Sequence, residues 1–425
     1  MTLATAPEGD RAAHAARVGW LDGARGVAIL AVMVTHLHML AFGQQPMRLD
    51  VLLRTITGAG WAGVDLFFVL SGFLITGILL DAKQAESHYF RNFYARRFLR
   101  IFPLYYGFLA LLLVALPALH SMSSREYQTL QQNQAWYWTY LSNYWIALRD
   151  GWNVSLYGTV HLWSLAVEEQ FYLIWPAIVL VCNRRALVWV CVGAIAGAPA
   201  LRLAMHMHHA NPFVVYTFTA ARLDPLAVGA IMAVLIRGPR GRAMLSAGAL
   251  PAMLVSGAVL ALVVVLAGGL PNLNAGVQLF GLSALAVFFA GLLAHGLTTP
   301  SASVVQRLFS PVMLKMLGRY SYGLYIVHWP IATWLAWHIR IHAILPKFPA
   351  SPLLSELLFA ALAFTLSMTA AWLSWHLYEK QFLKLKRYFP YARVRVVTRA
   401  QAAADRPAPA PGEFAPGAAT EPRAA

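Results

Sequence analysis

Two residue pairs in this sequence have the types and spacing to do chemistry. Arg25 and His36 lie eleven residues apart in LDGARGVAILAVMVTH, and Arg97 and Arg100 lie three apart in FYARRFLRIFPLYY. A neutral imidazole takes up a proton near neutral pH, and a guanidinium fork suits phosphate. Other polar groups interrupt apolar stretches: Asp65, Glu168, Glu169, Arg222, Asp224, Glu356, His38, His295 and His328. A charge at a bilayer centre costs roughly 2.5–3.5 kcal/mol on insertion scales. An internal ion pair pinning two helices is the plain explanation for any single one, and it fits Glu356 and Asp224 well. It fits the whole set less well. Together the set points to anion binding and proton transfer inside a membrane.

The composition says what must hold these groups. Of 425 residues, 59% are hydrophobic and 12% charged, against about 25% charged in a soluble domain. Such a chain needs a bilayer, which excludes a soluble enzyme, a disulfide-stapled secreted domain and a disordered protein. The net charge of +16 gathers in short loops between apolar runs, as the positive-inside rule expects. No basic helix face or nucleic-acid motif accompanies it, so no nucleic-acid partner is expected. Cys182 and Cys191 give neither a disulfide framework nor a metal spacing, and no metal is expected. The first twenty residues lack an apolar core with a cleavage site, so no removed signal peptide is expected.

Ten runs have the roughly 20 apolar residues that a spanning helix needs: 24–43, 61–80, 101–120, 163–182, 186–203, 217–236, 245–267, 275–297, 319–339 and 353–377. An eleventh candidate, WYWTYLSNYWIAL at 136–148, is short and rich in the aromatics that favour the headgroup interface. If it does not cross, the inward loops and C-terminal flank hold 20 Lys and Arg and the outward loops 7. The expected fold is an all-α, polytopic bundle of about ten transmembrane helices with both termini cytoplasmic. The tail 401–425, rich in Ala, Pro and Gly, is expected to be disordered. No internal repeat is evident.

Depth follows from this orientation. His36 lies about 16 Å deeper than Arg25 at 1.5 Å per residue. Asp65, Glu168, Arg222 and Asp224 fall in the outer halves of inward-running spans, and His328 falls near the middle of an outward-running one. Arg97 and Arg100 lie below them on the cytoplasmic side. A site that receives an anion from the cytoplasm and moves protons near the far face would have this order.

These motifs resemble those of the acyltransferase-3 family of integral membrane acyltransferases, which modify cell-surface carbohydrates, peptidoglycan and some secondary metabolites. The resemblance covers about residues 20–385. It lies in Arg25 and His36; in WAGVDLFFVLSGFLITGIL with Asp65, Ser71 and Gly72; and in the pair Arg97 and Arg100. It continues in HLWSLAVEEQFYLIWP with His161, Trp163, Ser164, Glu168 and Tyr172, and in RLDPLAVGA with Arg222 and Asp224. GRYSYGLYIVHWP supplies Ser321, Tyr322, Tyr325 and His328, and YEKQF closes the set, with Gln381 where Pro is usual. Each motif is weak alone, and their joint order is strong. Fused members carry an extracytoplasmic hydrolase-like domain, which this sequence does not contain, so the chain is expected to act alone or with separate glycan-pathway proteins.

The resemblance implies transfer of an acetyl or short acyl group from acetyl-CoA or another acyl-CoA, with no bound cofactor. The acceptor would be a hydroxyl of an exported carbohydrate or its lipid-linked precursor, at a bacterial inner membrane. In this reading His36 is the base and Glu168 the carboxylate beside it. Arg25, Arg97 and Arg100 hold the donor. Arg222, Ser164, Ser71 and Tyr322 are options for polarising the carbonyl, and Asp65, His161, Asp224 and His328 are further candidates. Direct transfer and an acyl-enzyme intermediate both stay open, and the depth order favours an internal passage from the arginines to His36. Acylation of a small metabolite such as a macrolide is one alternative. A transporter is another, although the repeats or broken helices of that class are not clear. The division expected is a cytoplasmic segment at 1–19, the membrane domain at 20–385 and a basic, then disordered tail at 386–425. GAGWAG at 58–63 follows no strand, and His206, His208 and His209 have no carboxylate near in sequence, so neither signals a site.

Overall fold

The computed structural model describes residues 8–41, 57–84, 88–119, 124–149, 151, 158–299, 303–338 and 352–391, and among them there is no strand. Ten long helices carry the fold: α1 (Glu8–Ala41), α2 (Gly63–Gln84), α3 (Tyr89–Ala110), α4 (Trp163–Val181), α5 (Arg184–Met207), α6 (Leu223–Ile236), α7 (Gly241–Ala267), α8 (Leu282–Thr298), α9 (Val312–His338) and α10 (Pro352–Ser374). Helix α3 continues through a π-helical turn at Leu111–Ala115 to Leu116–Leu119. Each of the ten apolar runs falls on one of these helices. The tail 392–425 and the side chains of His38 and Glu356 lie outside the described residues.

Among the described residues, nine helical segments are long and apolar enough to cross a membrane. Helix α9 is the exception. At 27 residues it is about 40 Å long, more than a hydrocarbon core of about 30 Å, but it carries many polar groups. Ser321, Tyr325 and His328 are buried among neighbouring helices, so they are not the lipid's to solvate. A helix walled off by others does not need an apolar surface of its own.

Two boundaries differ from expectation. Residues 89–100 are helical rather than loop. Side chains on this turn bind the chain beyond α10: Asn92 donates to the Pro390 carbonyl, and Arg96 donates to Lys386 and Phe389. Helix α5 runs to Met207, past the expected end at 203, and Arg202 inside it is wholly buried. Asp224 on α6 neutralises it at 2.9 Å. The aromatic stretch forms two short helices, Ala135–Trp138 and Ser142–Leu148, neither of which can cross a bilayer.

Successive long helices alternate in direction, and hydrogen bonds tie their ends. On one face Lys83 donates to the carbonyls of Val179 and Cys182, Arg184 to Val234 and Arg237, and Arg242 to Thr298. On the other, Trp61 donates to Leu270 and Gln278 to Pro212. The first face is the basic one.

Helix α1 packs most extensively on α9, and glycines let the two backbones touch. A Cβ added at Gly26 would lie 2.0 Å from the Leu314 carbonyl oxygen, and one at Gly318 would lie 1.7 Å from that of Asp22. Small residues at a membrane helix contact allow this approach.

Candidate active site

The site is built from helical stripes. Eleven residues turn a helix through about three turns plus 20°, so Arg25 and His36 share one face of α1. Ser164, Glu168 and Tyr172 recur at four-residue spacing on α4, and Ser321, Tyr325 and His328 at four and three on α9, so each set lines one face. Arg97, Arg100 and Ile101 do the same on α3.

Where these faces meet they line a cavity of about 100 Å³. Arg25, Arg97 and Arg100 line it, with Ser71, Glu168 and Tyr322. Among the described residues neither Arg97 nor Arg100 is in an ion pair. Their guanidinium groups lie over the aromatic rings of Tyr172 (5.5 Å) and Trp375 (5.6 Å) respectively, which leaves their charge to attract an anion. Arg25 is 3.6 Å from Asp22, itself half exposed. Ser71 donates to the Glu168 carboxylate at 2.7 Å and accepts from the Tyr172 hydroxyl at 3.0 Å.

Ser164 and Tyr325 also line the cavity, and their hydroxyl oxygens are 2.5 Å apart. Tyr325 also donates to the His161 carbonyl at 2.9 Å. Around the Tyr325 ring stand two imidazoles, His161 at 5.2 Å and His328 at 5.8 Å. His328 meets His36, with Nε2 of the former 2.8 Å from Nδ1 of the latter. The Trp329 ring covers His36 at 4.7 Å. His36 therefore faces α9 rather than lipid, but it does not line the cavity. The expected internal passage stops at Tyr325.

One expected partnership is corrected, and candidate charges are found in two ion pairs, Asp224 among them as expected. The partner of His36 is His328, not Glu168, because Glu168 lies on the arginine side of Tyr325 and spends its hydrogen bonds on Ser71. Arg222 is paired with Asp65 at 2.9 Å, both side chains wholly enclosed, and its guanidinium packs against the Tyr216 ring at 4.9 Å. This is an ion pair joining the start of α6 to α2. Asp224 takes Arg202 in a two-bond fork and accepts from Ser283. Tyr322 lines the cavity while its hydroxyl donates to the Ile101 carbonyl at 2.6 Å.

Sequence reasoning did not single out Arg202. Its signal was available: an arginine within PALRLAM, and an aspartate at 224 with no partner on its own helix. Glu169, beside Glu168, lines a second cavity of about 570 Å³ between α3 and α4, which Arg97 and Tyr172 wall off from the first. Among the described residues no group of three His, Cys, Asp or Glu side chains is placed to hold a metal ion.

A basic mouth, a buried carboxylate–hydroxyl chain and a paired imidazole occur in an order that comparison with known proteins explains. Residues 18–376 match the family model described as the acyltransferase domain of type 3. The chain belongs to the acyltransferase-3 family. The membrane acyltransferase class expected from the motifs is thus the class of this domain. Among similar proteins, peptidoglycan O-acetyltransferase OatA of Listeria monocytogenes is 29% identical over 331 residues, covering 74% of this chain and 49% of OatA. YrhL of Bacillus subtilis, named provisionally for the same activity, is 30% identical over 339 residues, covering 75% of this chain and 49% of YrhL. A provisionally named O-acetyltransferase of Staphylococcus aureus is 26% identical over 333 residues, covering 74% of this chain and 50% of its own. The chain spans about half the length of these relatives. No solved structure matches it.

Proposed function

We propose that this protein is a membrane O-acyltransferase that moves an acetyl or other short acyl group from acyl-CoA to a hydroxyl of a cell-surface or exported carbohydrate. The observation that carries this reading is the order of groups: three arginines at one end of a cavity, a closing tyrosine, and a histidine pair behind it. The positive-inside rule assigns the basic face to the cytoplasm, and with it both ends of the bundle, in a bacterial inner membrane. Acyl-CoA cannot cross a bilayer, so its phosphates meet Arg97, Arg100 and Arg25 at that face. A ligand pocket is commonly 300–1,000 Å³. A cavity of about 100 Å³ takes only the tip of the donor's arm, which favours a short acyl group.

Transfer requires the Tyr325 side chain to turn aside so that the thioester reaches His36. His36 then takes the acceptor hydroxyl's proton as its oxygen attacks the thioester carbonyl. The carbon–sulfur bond breaks, and the leaving thiolate takes the proton back from the imidazolium. Glu168, through Ser71 and Tyr172, fixes the cavity wall along which the arm slides. The acceptor approaches from the face opposite the arginines, as an exported glycan or its lipid-linked precursor. The names of the similar proteins, two of them peptidoglycan O-acetyltransferases, support a carbohydrate acceptor.

Mass spectrometry of surface glycans and small metabolites, from cells with and without the gene, tests this. We expect a glycan mass difference of one acyl unit, abolished by His36→Ala in a protein that still inserts. A difference confined to a small metabolite would move the acceptor to that class. Unchanged masses with altered solute uptake would replace transfer by transport.

A further inference from the structure

Hydrogen-bond donors and acceptors around His36 fix which of its nitrogens carries the proton. On α9, His328 Nδ1 lies 2.9 Å from the carbonyl oxygen of Leu324, one turn earlier. A carbonyl oxygen only accepts, so this Nδ1 bears a hydrogen. In the neutral ring Nε2 then holds a lone pair, and it is this Nε2 that stands 2.8 Å from His36 Nδ1. His36 must therefore donate from Nδ1, and its own Nε2 is left bare. A bare Nε2 is the form that removes a proton from a hydroxyl.

Resting on the acyl-transfer reading above, we propose that His328 is a positioning residue: it holds His36 in the Nδ1–H tautomer and so makes Nε2 the base. The packing allows little else. His328 is wholly buried, with the His161 ring edge-on at 5.1 Å and the Tyr325 ring at 5.8 Å. The His36 and His328 rings are within 12° of parallel, and Trp329 covers His36. Turning the His36 ring over would set a carbon against the His328 lone pair. The backbone that carries His161 into this cluster comes close to α9 only because residue 158 is glycine, at φ +74°, where a Cβ would lie 2.5 Å from Pro330 Cα. When His36 takes up the acceptor's proton, its Nδ1–H bond to His328 becomes charge-assisted and strengthens. The device has the layout of an orienting carboxylate behind a catalytic histidine, with a neutral ring in the carboxylate's place.

The test uses radiolabelled acetyl-CoA supplied to membranes carrying the full chain, with label counted in endogenous glycan and binding of coenzyme A measured by calorimetry on the purified protein. Loss of the orienting group in a serine-protease triad costs about 10⁴-fold. A neutral acceptor is weaker, so His328→Ala should lower kcat about 10²–10³-fold with the KM for acetyl-CoA and the affinity for coenzyme A within about threefold of wild type. His328→Gln, whose amide oxygen can accept from Nδ1, should recover at least tenfold of that loss. Near-wild-type kcat in His328→Ala overturns the proposal, as does a Gln variant that binds coenzyme A yet is no faster than Ala. If the Ala variant fails to bind coenzyme A, the Gln variant decides alone: kcat within tenfold of wild type supports the role, and a folded but inactive protein removes it. Wild-type membranes that transfer no label would instead overturn the acyl-transfer reading, and this role with it.

Discussion

At the scale of single residues, charge burial separates scaffold from chemistry. Asp65 and Arg222 are both wholly enclosed, so each neutralises a charge that water no longer solvates. Removing one partner of such a pair costs about 3–5 kcal/mol, whereas replacing both by apolar residues of similar volume is often neutral. Asp65→Ala should therefore destabilise the detergent-solubilised protein by about that amount in unfolding measurements, and Asp65→Leu with Arg222→Met should regain most of it. If the double variant also keeps label transfer, Arg222 has no part in polarising the carbonyl; if it unfolds as readily as the single one, the pair is more than a pin. The sequence made Asp65, Arg222 and Asp224 visible because charges in apolar runs are rare. It could not say who pairs with whom. His36 and His328 are 292 positions apart, and whether an imidazole meets a carboxylate or another imidazole depends on the rotation of α9 about its own axis. Motif and depth both pair Glu168 with His36, and neither tells which side of Tyr325 a group is on.

At the scale of elements, the contact of α1 with α9 sets the register between the histidines. Gly318 has no room for a methyl group, since its Cβ would lie 1.7 Å from the Asp22 carbonyl oxygen. Gly318→Ala should push the two backbones apart and pull His36 away from His328. A misplacement of about 1 Å can cost 10²-fold in rate, so a fall in kcat of ten- to a hundredfold is expected in the label-transfer assay, with a higher KM because Arg25 moves with α1. Unchanged kinetics would mean that the helices slide rather than separate. The helices themselves were legible because lipid demands about 20 apolar residues per crossing. Residues 89–100 were missed as helix because their arginines face the basic rim instead of lipid, and α9 is polar because its neighbours shield it. Sequence hydropathy measures lipid exposure, and the polar side chains that lower it in these two stretches face the rim or the neighbouring helices instead.

For the molecule as a whole, the alternation of helices sorts exposed positions between two faces. After Cys182 and Cys191 are changed to Ser, a cysteine at Arg240, on the basic face, should react with a membrane-impermeant maleimide only from the cytoplasmic side. A cysteine at Ala275, on the opposite face, should react only from outside. Both positions are exposed. Labelling of both from one side would contradict the antiparallel arrangement, and labelling in the reverse sense would turn the protein over in the membrane.

On the proposed acyl-transfer reading, the Ser164–Tyr325 contact bears on the cell's energy supply. A duct wide enough for a thioester would also be wide enough for a thread of water, and a thread of water carries protons down the gradient that drives ATP synthesis. Two hydroxyls at 2.5 Å leave no room for a water between them. If the donor's arm passes here, as proposed, it must part this contact, and it then fills the space that water would otherwise take.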